Sequence, residues 1–325
     1  MNSETVSQKD DLLTKPDFNL DLDLLLTYLY CTLDDEFPEQ GMGRPQMAND
    51  AEMVCISIAS VLLDADKERA WLRRVERRLG HLFPRIPHIS QYNKRVRRLA
   101  PMFDRVVSIL GEQYPEIAES LLIVDTTPVP CAQSEETVMR SRLGPGPMSK
   151  HRRELLRLDG NEDHTLADYG RCAAKDRDYW GFKLAYLCTP SGFPVGVRLL
   201  SANIAEQDAL RALIKTSDIA GKLIAGDKGF RGDHLALEIE QAGGWLIRPD
   251  FINETPRYGK GLKIRQNIES CYQTFKGQLS LERHHARSLK GLTARVLERI
   301  CALASALWLN NLFGQPGRHL TAYDH

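Results

Sequence analysis

Nowhere in the 325-residue chain is there a run of about 18 uncharged apolar residues, which excludes a membrane-spanning helix. The cysteines are scattered at 31, 55, 131, 172, 188, 271 and 301, odd in number and never spaced as CxxC. That pattern speaks against a disulfide framework and against a zinc knuckle. Met1 to Asp10 is polar and acidic and holds no apolar segment to serve as a secretory signal. With the cysteine pattern, this sets the expectation of a cytoplasmic protein. Glycine (23) and proline (16) are too few for a collagen-like chain, and no internal repeat or low-complexity tract occurs beyond Gly144-Pro145-Gly146-Pro147. Net charge is also missing, with 43 basic residues against 43 acidic ones. What is present is 42% apolar and 26% charged residue, enough for a core and a solvated surface. The length allows about two domains.

The neutral total hides a segregation. Residues 1–52 carry twelve acids against Lys9, Lys15 and Arg44, a net charge of −9. Residues 64–100 and 257–300 each carry a net charge of +7. Basic fields of that size can bind a phosphate backbone even on a neutral protein, and they equally describe two ordinary solvated helix faces. Residues 1–118 read as helical. Leucines fill 20–33 behind Asn19 or Asp21 as a cap, and apolar residues step at helical spacing through 48–63. In 68–79, Arg73, Arg74, Arg77 and Arg78 form one side of a helix whose other side is Trp71, Leu72, Val75 and Leu79. Ser90 caps a last helix that runs toward Leu110 and carries Lys94 and Arg97. These six cations are the expected DNA contacts of an all-α N-terminal DNA-binding domain, for which a helix-turn-helix is one form, with an oligomerisation or packing domain as the alternative.

Residues 119–315 read as a second, α/β domain. Leu121 to Val124 is a short unbroken apolar run that stops at Asp125, as a strand buried on both faces would. An irregular insertion over 126–179 follows, with a basic helical fragment near 150–157. Phe182–Cys188 and Val195–Leu200 then form a hairpin about Thr189-Pro190-Ser191-Gly192. A helix over 206–215, strands over 222–226 and 245–247, and helical pattern from 264 to about 313 complete the reading. The strand at 222–226 ends at Asp227, so two aspartates share one context. If their strands are neighbours, both carboxylates lie at one sheet edge, where sites in α/β proteins gather. Paired carboxylates repel, and a divalent cation keeps both ionised; hard oxygen ligands without Cys or His favour Mg2+ or Mn2+. Two unrelated turn aspartates fit the same pattern. Glu269 is the best third ligand, on a helix over 264–279 that aligns it with Arg265, Gln273 and Lys276 on one face. An Arg265–Glu269 surface pair is the plain alternative. Asp176, Asp178, Glu238 and Glu240 compete as acids. His284-His285 lacks partners at ligand spacing, Asp159 to Asp163 reads as a solvated turn, and Val296 to Leu309 reads as a core helix against the sheet. Trp180 or Trp245 could stack on an unpaired base, although strand tryptophans are more often core.

Four segments in order resemble the insertion-sequence transposases of the DDE type: Leu122-Ile-Val-Asp125, Tyr179-Trp-Gly-Phe-Lys183, Ala225-Gly-Asp-Lys-Gly-Phe230, and Arg265-x3-Glu269-x6-Lys276. The last is similar to a Y-x2-R-x3-E-x6-K signature, with Leu262 where the tyrosine would stand and Tyr258 the nearest tyrosine upstream. Ser90 to Arg95 resembles the end of the N-terminal domain in one subgroup. The resemblance spans roughly 123–312. It implies an RNase H-like mixed sheet flanked by helices, in which Asp125 ends the first strand and Asp227 the fourth. Asp125, Asp227 and Glu269 would then be catalytic, metal-binding acids holding two Mg2+ or Mn2+ ions. Lys183, Lys228, Arg265 and Lys276 are the expected phosphate contacts. The implied activity is cleavage and strand transfer at the ends of an insertion element. Its partners would be double-stranded DNA, both terminal inverted repeats and target, and a second copy of the chain on that DNA. A structure-selective nuclease and an inactive DNA-binding descendant are the alternatives.

Overall fold

The computed structural model describes residues 20–34, 36–37, 47–65, 67–132, 134–140, 143, 166–172, 176–249 and 265–323. Six strands form one mixed sheet: β1 (Leu121–Ala132), β2 (Asp168–Cys172), β3 (Arg177–Cys188), β4 (Pro194–Ser201), β5 (Leu223–Ala225) and β6 (Trp245–Ile247). The order β2-β3-β1-β5-β6 makes β1 central, antiparallel to β3 and parallel to β5. β4 lies end to end with β2 along the outer edge of β3. The expected hairpin is present, its turn closed by the Thr189 N–H donating to the Phe193 carbonyl at 3.0 Å.

Two expectations about strands are corrected. β1 does not end at Asp125 but continues to Ala132, because the twelve-residue β3 pairs with it along that length. Pro128 and Pro130 hid this extension in the sequence. They are tolerated because the parallel partner β5 stops opposite Ile123, so β1 beyond that point is laddered on the β3 side only. The stretch 126–179 is accordingly not one irregular insertion. It contains the rest of β1, α6 (Glu135–Arg140), β2 and the start of β3. The extra strand β2 also makes the strand before Asp227 the fifth in chain order. The Gly144–Pro147 segment, the fragment at 150–157 and the turn at 159–163 lie outside the described residues.

The N-terminal helices are α1 (Leu22–Asp34), α2 (Asp50–Leu62), α3 (Glu68–Arg78), α4 (Ile89–Arg98) and α5 (Ala100–Glu112). Asp21 caps α1 by accepting from the Leu24 N–H at 2.7 Å, and Asn49 with Glu52 forms a capping box on α2. The single helix expected from Ser90 is two, since Pro101 at the start of α5 cannot donate to α4. Beyond β4 come α7 (Glu206–Ile214), α8 (Asp233–Gln241), α9 (Arg265–Gln273), which runs into a π-turn at Thr274–Gln278, and α10 (Leu289–Leu312). The run from 264 to 313 is thus broken, at Ser280 with φ +50° and His285 with φ +52°.

Alternation along the strands sends two apolar faces to two sets of helices. Ile123, Val129, Phe182, Leu184 and Tyr186 join one cluster with α1 to α5, α9 and α10. Leu122, Val124, Ala185 and Leu187 join the other with α7 and α8. α10 is buried from Glu298 to Asn310 and packs on α1, α2, α4 and α5 as well as β4. The helices before residue 118 therefore share one hydrophobic cluster with the last long helix and one face of the sheet.

Candidate active site

The parallel register fixes the relation between the two aspartates. Leu121 pairs with Leu223, Leu122 with Ile224 and Ile123 with Ala225. Two residues further on, with the same parity, stand Asp125 and Asp227. Adjacent parallel strands run about 4.8 Å apart, so the register, carried on by two residues, puts Asp125 within β1 level with Asp227 just past the end of β5. Each carboxylate is oriented locally. Asp125 Oδ1 accepts from the Thr126 N–H at 2.7 Å, and Asp227 Oδ1 accepts from the Gly229 N–H at 2.7 Å.

Three further side chains belong to this rim. A Cβ built on Gly229 would overlap Glu206 Oε2 and would stand 2.9 Å from Asp227 Oδ1, so the Glu206 and Asp227 carboxylates converge above Gly229. Lys183, half-buried on β3, donates to the Ile204 carbonyl at 2.7 Å. Burial pushes its pKa down, against the pull of the Glu206 and Asp125 carboxylates. Tyr272 of α9 is 7% exposed, and its hydroxyl finds no hydrogen-bond partner among the described residues. Burial raises its pKa well above the ordinary value, and the charges of Asp125 and Glu206 add to that. Its ring lies 6.3 Å from that of Tyr186, the residue paired with Asp125 across the sheet.

Glu269 precedes Tyr272 by one turn of α9, which packs on β1, and its side chain is exposed. Among the described residues no group of three or more His, Cys, Asp or Glu side chains is disposed to hold a metal ion as it stands. Of the competing acids, Glu240 is exposed on α8 and the other three are engaged elsewhere. Glu238 accepts from Arg211 Nε at 2.7 Å, and Asp176 and Asp178 pair with Arg171. His284 and His285 are not on a helix. His284 is buried against β1, donating from Nε2 to the Pro130 carbonyl at 3.0 Å and accepting at Nδ1 from the Ala286 N–H at 3.1 Å.

A sequence model of the transposase DDE domain matches residues 117–304, from the turn before β1 into α10. The chain belongs to the DDE transposase family. No curated protein and no solved structure matches it. The matched span covers the whole sheet with both aspartates and Glu269, and it leaves out α1 to α5.

The cations expected to meet DNA on this transposase fall into three groups. Arg73, Arg74 and Arg77 on α3, with Lys94 and Arg97 on α4, are exposed, and Arg78 is partly so. Arg77 and Arg97 bond only to backbone carbonyls of their own helices, at 3.2 Å. Lys183 and Lys228 stand at the acidic rim, Lys228 exposed in the short turn after Asp227. Lys276 lies 3.8 Å from Glu282, and the Arg265 side chain is outside the described residues, as are Leu262 and Tyr258. Arg95 is a structural cation: it bonds the Ala48 carbonyl and Asp50 at 2.5 Å and ties α4 to the start of α2. Trp180 is core, whereas Trp245 is 52% exposed at the sheet edge. Sequence reasoning missed Glu206. The helix that bears it was expected, but nothing in the spacing pointed its first turn at Asp227.

Proposed function

We propose that this transposase cuts DNA strands at the ends of an insertion element and joins them to a target, with Asp125, Asp227 and Glu269 as its metal-holding acids on an RNase H-like core. The observation that supports the reading is the register of β1 on β5, which carried on by two residues leads to Asp125 and Asp227 on neighbouring strands. The donor types suit a hard divalent cation, carboxylate oxygens with no thiol or imidazole among them. Bound Mg2+ or Mn2+, two ions in the fullest form of the site, would acidify the attacking water or 3′-hydroxyl and stabilise the departing 3′-oxygen. The remaining work falls to the protein. The Thr126 and Gly229 N–H groups aim the aspartates, Lys183 and Lys228 meet the phosphate, and the rigid sheet fixes the distance between them. In strand transfer the attacking 3′-oxygen forms one P–O bond and gives its proton to solvent, while the P–O bond to the target strand's 3′-oxygen breaks and that oxygen takes up a proton. The number of phosphodiesters is unchanged, so no covalent protein–DNA intermediate is needed.

The exposed arginines of α3 and the cations of α4 would position the duplex through its backbone, and joining two ends would bring a second copy of the chain onto the DNA. The test is an oligonucleotide duplex ending in the element's terminal repeat, incubated with the full-length protein and Mg2+. Joined products are the expected outcome. Cleaved but unjoined strands would mean a nuclease, and neither product with intact binding would mean an inactive descendant.

A further inference from the structure

We infer that Glu206 is a working carboxylate of this site: the first turn of α7 delivers it to the aspartate rim, where it joins Asp125 and Asp227 in holding the divalent cation. The inference rests on reading the rim as the catalytic centre. Its geometry comes from Gly229. A side chain at 229 cannot coexist with Glu206 in its present position, and the same added atom would touch the Asp227 carboxylate. The two carboxylates therefore share one small volume, which a glycine keeps open. From the α9 side, the Tyr272 hydroxyl is buried, has no hydrogen-bond partner among the described residues, and is in the field of both Asp125 and Glu206. An orphaned polar group facing several acids is an opening for a bound ion and its water.

A simpler role for Glu206 would be to complement the positive end of the α7 dipole. Asp208 stands in the same turn and already fills that role, while its carboxylate turns to Arg211 at 2.8 Å. Helix complementation asks nothing of residue 229, whereas convergence on Asp227 requires the space above it. Lys183 offsets part of the negative charge at the rim, but its ammonium is tied to the Ile204 carbonyl. Carboxylate oxygens gathered this closely are the ligands a hard divalent cation takes.

The experiment is Mn2+ binding to the full-length protein without DNA, read from the resonance signal of free Mn2+, with a thermal melt on each variant to confirm folding. Glu206→Gln keeps the shape and removes the charge, and it should weaken Mn2+ binding roughly tenfold to a hundredfold. Glu206→Asp should fall between the two. Gly229→Ala leaves every acid in place but puts a methyl where the Glu206 oxygen lies, and it should weaken binding in the same direction, which decides the matter should Glu206→Gln fail to fold. Wild-type Mn2+ affinity in the Glu206 and Gly229 variants, with loss in Asp125→Asn, overturns the role of Glu206 and leaves the aspartate pair standing. Wild-type affinity in both Asp125→Asn and Asp227→Asn overturns the rim as a cation site, and Glu206 with it.

Discussion

Two clusters of charged side chains in this molecule are built in opposite ways. The first joins α3 to α10. Glu298 there is fully buried, accepts from Arg295 Nη1 at 3.0 Å, and Arg295 also pairs with Glu68 of α3. Arg299 donates to the carbonyls of Arg295 at 2.8 Å and Ser280 at 3.3 Å. Asp64 accepts from Ser280 and Arg283, each at 2.6 Å. Burial acts to raise Asp64, and those hydrogen bonds overcome it and hold the carboxyl below its usual range. In this joint the cations and anions interleave. In the second cluster, at the sheet rim, the Asp227 and Glu206 carboxylates converge above Gly229 beside Lys183 and Lys228, and the Tyr272 hydroxyl has no hydrogen-bond partner among the described residues. Matched charges inside a protein serve to fix an architecture, whereas like charges held together against repulsion imply something that arrives to neutralise them.

The comparison can be broken at several points. Asp125→Asn or Asp227→Asn should abolish DNA cleavage, by on the order of 5 kcal/mol in the barrier or about four orders of magnitude. Neither should lower the melting temperature, because each relieves a repulsion. Product formation on a gel and a melt on the same sample check this, and a fall in melting temperature matching the loss of activity would make the rim structural. Glu298→Ala should do the reverse. It removes the buried partner of half-buried Arg295, beside the buried Arg299, and costs about 3–5 kcal/mol of stability, measured by urea unfolding.

His284 sharpens the comparison further, because it packs beside the joint and holds β1 through Pro130. Burial pushes its pKa down from 6.5 to about 4, partly offset by the bond to Pro130. The neutral ring satisfies both nitrogens, and protonation would place a proton on the Nδ1 that accepts from Ala286. With the folded pKa depressed, the unfolded chain takes up a proton first. The stabilisation is complete above about pH 6.5 and is lost as pH falls through 6.5 toward 4, amounting to about 3 kcal/mol. His284→Asn should flatten that part of the stability profile relative to wild type. The smallest effect is expected on α3. Arg73→Ala and Arg77→Ala should each reduce the slope of log affinity against log salt by about 0.9 per lost phosphate contact, with cleavage chemistry unchanged at saturating DNA. An unaltered slope would remove α3 from the DNA-binding surface.

Local pattern carried much of this structure. The Asn49 cap, the amphipathic arginine helix, the hairpin about Thr189 to Gly192 and the short strand before Asp227 are all set by residues within a few positions of one another. The extent of β1 was not readable. Its prolines argue against a strand, and only the long partner β3 with an open opposite edge accommodates them. The break between α4 and α5 was visible in Pro101 yet read as a continuous helix, since apolar spacing persists across it.

At the site, the sequence by itself selected Asp125, Asp227 and the Glu269 helix, because short apolar runs closing on an acid and a helical row of charge are local signals. Tertiary structure alone aligned the two aspartates, since strand register depends on partners about a hundred positions away. It also added Glu206 and Tyr272 to their surroundings. The physical reason is the same in each case: periodicity encodes which face a residue occupies, whereas convergence depends on how separate elements pack, and no spacing along the chain records that.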